Sequence, residues 1–234
     1  MKPIALSPRC VPIFFTTSFI CGQKLLMTDA EKLAHVDLVE KVAAYSHIRL
    51  LDSTPMATHD HGIVLVPEPH DLSDETLLAD SAHLYGADSR RHLALASRLA
   101  DPAMRQGARD EELARKFDFS AFLKTLHEIL APMFNLLLGR TGTMVDGPTH
   151  RTILDRQGFL RALVYCCLNP ARAGLETLPG QIPTTCYGMA LRGKAWARAA
   201  IMYATGASDF ATALHIFEQH LAPSARSRSP ANAP

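Results

Sequence analysis

The chain has 234 residues, 47% of them hydrophobic and 20% charged, which is enough apolar material for one sizeable core and too much for a disordered polymer. A formal net charge of +1 gives no overall pull toward nucleic acid, so any DNA contact needs a local basic patch. The five cysteines, Cys10, Cys21, Cys166, Cys167 and Cys186, show neither CxxC nor finger spacing, which argues against a disulfide framework or zinc ribbon and fits the reducing cytoplasm.

The first predicted element is a strand within Val11–Ile20, rich in Val, Ile, Phe and Thr and running into a turn at Gly22. Pro12 and the polar Thr16, Thr17 and Ser18 interrupt it, so it does not read as a signal-peptide core. Thr28 followed by Glu31 is a capping-box pattern, and Leu33, Val36, Val39, Val42 and Ala43 recur at helical spacing as far as Tyr45. His47–Leu51 reads as a second strand, Asp52–Pro55 as a polar link and Gly62–Val66 as a third strand, giving a β-α-β-β start.

From about residue 72 to 118 the chain turns charged and Ala-rich after a helix start at Ser73, which reads as an exposed helical insertion. Helical spacing resumes at Phe119, Phe122, Leu123, Leu126, Ile129 and Leu130, with Pro132 expected to kink or break that helix. Arg140 to Thr143 reads as a turn and Arg151–Leu154 as a last strand. Phe159–Leu168 is a helix that Asn169-Pro170 should stop. Beyond Gly193 an Ala-rich helical pair runs to Leu221, followed by a Ser/Pro/Arg tail read as disordered. No run approaches the ~20 continuous apolar residues of a membrane span, and no membrane partner is expected. These elements predict an α+β fold: a mostly antiparallel sheet with a ferredoxin-like β-α-β-β start and helices on one face. The expected division is a domain over residues 1–195, carrying the insertion, and a helical extension with its tail over 196–234.

The chemistry-bearing motif is Met56-Ala-Thr-His59-Asp60-His61-Gly-Ile-Val-Leu-Val66. Side chains alternate across a strand, so His59 and His61 project from one face and can grip a divalent cation together. This run is similar to the Met-x-x-His-hydrophobic-His-apolar block of the REP-associated tyrosine transposases, small single-strand DNA transposases of insertion-sequence-200 type. It departs from that block at Asp60, which stands at the hydrophobic position and points to the opposite, core-facing side. Phe122 to Asn135 with the following Gly139-Arg140-Thr-Gly-Thr143 resembles a second family block. Leu168-Asn-Pro-Ala-Arg-Ala-Gly-Leu175 after an apolar helix resembles the family's Leu-Asn-Pro-x-Arg-Ala-Gly signature in order and spacing. The resemblance covers roughly residues 11 to 193.

The resemblance implies a protein that binds hairpin or single-stranded DNA, as a monomer or homodimer. It also implies a weakly held divalent cation, magnesium or manganese, on His59 and His61 that polarises a phosphodiester for attack by a tyrosine oxygen. Phosphate contacts are expected at Lys124, Arg140, Arg151 and Arg172. The nucleophile is expected on the helix matched by Phe122–Asn135, and that segment has no tyrosine. Tyr165 and Tyr187 read as packing residues. The sequence therefore reads as a catalytically impaired relative that forms no covalent DNA adduct. Its near-neutral charge keeps a rival open, a degenerate domain acting as a helical interaction module without DNA.

Overall fold

The computed structural model describes residues 10–153, 155–174 and 179–226. Leu154, Leu175 and the tail beyond Arg226 lie outside the described residues. Strands β1 (Pro12–Ser18), β2 (Arg49–Pro55), β3 (His59–Leu65) and β4 (Thr149–Thr152) form one antiparallel sheet in the order β2-β3-β1-β4. Helix α1 (Asp29–Tyr45) joins β1 to β2, and α2 (Asp74–Tyr85), α3 (Arg90–Ala100) and α4 (Arg105–Leu113) make up the charged insertion. The long α5 (Phe119–Leu138) then leads to β4, completing two interleaved β-α-β units in the ferredoxin-like manner. The fold is α+β, as the element order predicts.

Alternation along the strands explains the layers. Phe15 and Val64 point to the face covered by α1 and α5, where they pack with Val39, Val42, Phe122 and Leu126. Phe15 lies across Gly62, its cross-strand partner, in the space a side chain there would need. Leu51, Ile63 and Leu65 point the other way. That second face is not open. It is covered by α6 (Arg156–Arg172), α7 (Cys186–Leu191) and α8 (Ala195–Thr205), with α9 (Phe210–Arg226) packed on α6 and α8, and Phe159, Leu163, Ala200 and Phe217 of these helices share one core with the sheet. Helices on one face therefore describe the ferredoxin-like half alone. The edge strand β2 is covered by packing of α7 and α8, while the other edge, β4, is short, polar and exposed, which discourages pairing with another chain.

Four local expectations are corrected. The second strand begins at Arg49, not His47, because His47 takes a left-handed backbone (φ 53°) as the chain leaves α1. Asp52–Pro55 is no polar link but the buried second half of β2, since helices pack on both its faces. Helix α5 runs unbroken through Pro132, which faces solvent, and the carbonyl that loses its partner belongs to Glu128. Helix α6 passes through Asn169-Pro170 to Arg172, with Ala173 N–H still bonding Asn169 O at 3.0 Å, before a turn at Gly174.

Among the described residues, α5 is the one helix long and apolar enough to cross a membrane by length and composition. It carries Phe122, Leu126, Leu130 and Phe134 into the core, as a core helix does. The caps match their residues: Thr28 and Glu31 form a full capping box, and the Ser73, Asp118 and Asp155 side chains cap α2, α5 and α6.

Candidate active site

The site is built on β3. In the register Thr16↔His61 and Ser18↔His59, the two histidines stand on the face covered by α6. Their Nε2 atoms converge to 3.2 Å. The other ring nitrogens are held from behind: His61 Nδ1 lies 2.8 Å from Thr16 Oγ1 and His59 Nδ1 lies 3.0 Å from Thr58 Oγ1. With both Nδ1 atoms engaged, the Nε2 lone pairs can be turned toward a shared cation, the usual backing of a metal-binding imidazole. Burial, together with the neighbouring His59, pushes the His61 pKa down to about 4, and burial lowers His59 as well. Both rings are therefore neutral at physiological pH, so protons would not compete with a cation for them. The donor set fits a weakly held divalent cation. Among the described residues no third His, Cys, Asp or Glu completes a metal-binding group with the pair.

The helix beside these histidines is α6, not α5. Tyr165 of α6 lies with its ring centroid 5.6 Å from that of His61, and Phe14 stacks on His61 at 5.6 Å and meets Tyr165 edge-on at 6.4 Å. Tyr165 is 41% exposed while its ring packs against Phe14 and His61. Arg172, two turns on, sits over the Tyr165 ring at 5.7 Å. The expectation that the histidines face Phe122–Asn135 fails because α5 packs on Phe15, whose side chain points to the opposite face of the sheet from Phe14.

The four expected phosphate-contacting cations divide accordingly. Arg151 is the β4 partner of Phe14 and shares its face at the exposed edge, so Arg151 and Arg172 flank Tyr165 and the histidines. Lys124, on α5, belongs to the other side and reaches Glu128 at 4.0 Å. Arg140 closes the turn after α5, reaching Gln23 Oε1 and Thr143 O at 3.5 Å, while Asn135 Nδ2 donates to Gly142 O at 2.8 Å. The Phe134-Asn135 and Arg-x-Gly block thus clasps a turn.

Asp60 points away from the histidines to the α1–α5 side. There its Oδ2 lies 3.1 Å from His35 Nε2, both side chains only 2% exposed. Neither group has a well-aligned hydrogen bond, and Thr17 Oγ1 and His127 Nε2 are also buried without a hydrogen-bond partner, so the close approach is not a directed bond. On the site's own face, Asp52 is fully buried, accepts from Thr54 Oγ1 at 3.1 Å and has its pKa pushed up to about 8, chiefly by burial.

These shifts predict a pH profile. The unfolded chain protonates His61 between its ordinary 6.5 and the folded value of about 4, so that contribution to stability grows as pH rises through this window. Asp52 acts oppositely: unfolded it ionises near 3.8, folded near 8, so its contribution falls as pH rises between the two. Below pH 6.5 the two effects oppose, and from 6.5 to 8 the Asp52 effect stands alone of the pair. Unfolding free energies from urea titration should fall over that upper interval by on the order of 1 kcal/mol per pH unit at most, and Asp52→Asn should flatten the fall. A slope unchanged in Asp52→Asn would assign it to other groups.

The signal that sequence reading missed is a polar stripe on an otherwise apolar helix. Gln157, Arg161, Tyr165, Asn169 and Arg172 recur at helical spacing along α6, so they share one face.

No family model matches the chain, and no curated protein does. Among solved structures, a REP-associated tyrosine transposase bound to a REP hairpin is similar over 82% of this chain and 86% of that one, at 13% identity and a TM-score of 0.44.

Proposed function

We propose that the protein nicks and rejoins single-stranded DNA, in the manner of a DNA transposase, with Tyr165 as nucleophile and His59 and His61 as metal ligands. The observation that carries this reading is Tyr165, half-exposed and 5.6 Å ring to ring from His61, beside two converging imidazole nitrogens. The Tyr165 oxygen attacks phosphorus and gives up its phenolic proton, an oxygen–phosphorus bond forms, the bond to one deoxyribose oxygen breaks, and that oxygen takes up a proton and leaves as a hydroxyl, with no net change in protons. A divalent cation bound by the histidines supplies Lewis-acid polarisation of the phosphate. Asn169, half-buried and one turn beyond Tyr165 on the same helix face, is the amide we assign as third ligand. Arg172 and Arg151 are placed to balance phosphate charge.

The test is a protein–oligonucleotide complex that survives denaturation, formed with magnesium or manganese. The rival reading, a helical interaction module without DNA, draws on the net charge of only +1 and expects neither this complex nor salt-sensitive DNA binding. The metal half of the proposal has its own measurement. In calorimetric titration with manganese, His61→Ala should abolish binding, and Thr16→Val, which frees the His61 ring from its backing hydroxyl, should weaken it about 10-fold or more. Equal affinity in parent and His61→Ala would remove the histidines from the metal site.

A further inference from the structure

Next to Tyr165, between α6 and α9, runs a groove of about 330 Å³. Its polar lining is Gln157, Arg161, Tyr165 and Arg172 from α6 and His220 from α9, over an aliphatic floor. Among the described residues, no carboxylate lines it. Most arginines of the insertion are spent on acids, Arg98 on Glu111, Arg105 and Arg109 on Asp74, and Arg115 on Glu128. Among the described residues, Arg161 and Arg172 form no ion pair with Asp or Glu, so a chain of nearly zero net charge leaves unneutralised cations beside the candidate nucleophile.

The spacing suits a strand rather than a single ion. Gln157, Arg161 and Tyr165 follow at i, i+4 and i+8, which sets their positions about 6 Å apart along the axis. That step is of the order of the distance between successive phosphates in an extended single strand. The lining is also one-sided in chemistry: side-chain N–H donors from both helices and a phenol, with no acidic acceptor among the described residues to repel a phosphodiester.

We propose that this groove holds the phosphodiester backbone of a single DNA strand flanking the nucleotide at Tyr165, and that the C-terminal helix α9 takes part in DNA binding through His220. The proposal rests on the nicking reading given above and assigns α9 a role within it. Arg161 and His220 are the new contacts; both side chains are exposed, so their loss should not disturb the fold.

The experiment uses the full chain and a fluorescein-labelled single-stranded oligonucleotide of mixed sequence, with binding followed by anisotropy at several salt concentrations. Arg161→Ala should weaken binding several-fold and reduce the slope of log K against log salt by about 0.7, the value of one single-strand phosphate contact. His220→Ala should weaken binding without changing the thermal midpoint, and Lys41→Ala, on the exposed side of α1, should bind as the parent does. If the parent forms a denaturation-resistant complex with DNA but Arg161→Ala and His220→Ala bind with parental affinity and slope, the groove is rejected and the nicking reading stands. If the parent binds no single-stranded DNA, both fall.

Discussion

Replacing Tyr165 by Phe should leave a folded protein that no longer forms a covalent complex with single-stranded DNA in magnesium or manganese. Phe retains the ring that packs on Phe14 and His61, so stability should change little, and the loss isolates the hydroxyl. A phosphodiester at neutral pH needs a nucleophile held in line, and positioning can be worth an effective concentration on the order of 10⁵ M or more, so nothing in solution substitutes for the phenol. The hydroxyls on the helix first expected to carry the nucleophile serve as comparison. Ser120 and Thr125 lie on α5, which packs on the sheet face opposite the histidines, and Thr125 is buried, so Ser120→Ala should form the complex at the parental rate. A complex that persists in Tyr165→Phe and disappears in Tyr187→Phe or Tyr203→Phe would move the nucleophile elsewhere. No complex from the parent at all would return the protein to the catalytically impaired state that the sequence suggests.

The second large effect is in stability. Asp60 and His35 approach to 3.1 Å with both side chains 2% exposed, under the strand that carries the site histidines. Asp60→Leu, which restores the residue type of the resembled motif, strands His35 in the core, and His35→Leu strands Asp60. Each should cost about 3–5 kcal/mol, because a buried polar group that loses its partner keeps its desolvation penalty. The double variant Asp60→Leu/His35→Leu removes both groups and should be less destabilised than the sum of the singles by about 2 kcal/mol. Urea unfolding of the four proteins measures this coupling, and additive losses would show that the two groups do not depend on each other. His127 also faces this buried acid, which lifts its proton affinity against the stronger lowering by burial, so the cycle should be run in a background where His127 is intact.

What sequence alone determined are the features that depend on neighbours along the chain. The Thr28–Glu31 box, the Ser73 cap, the alternation that puts His59 and His61 on one face and Asp60 on the other, and the β-α-β-β order follow from local geometry, and the molecule has them. Tertiary structure decided the features that depend on which surfaces meet. Asp52–Pro55 reads as a link because it is polar, yet helices on both sides bury it as strand. Pro132 and Pro170 read as helix ends, yet packing on the sheet holds both helices through a single lost bond. The resemblance implies a nucleophile on α5, and chain order cannot tell which face of a sheet a helix will cover. That choice is made by the crossing of β1 over to β2 and by the apolar stripes of α1 and α5, which claim the Phe15 face together. The Phe14 face is left to α6, and with it Tyr165 comes to stand beside the histidines, because a side chain separated from them by a hundred residues of chain reaches them only through that packing.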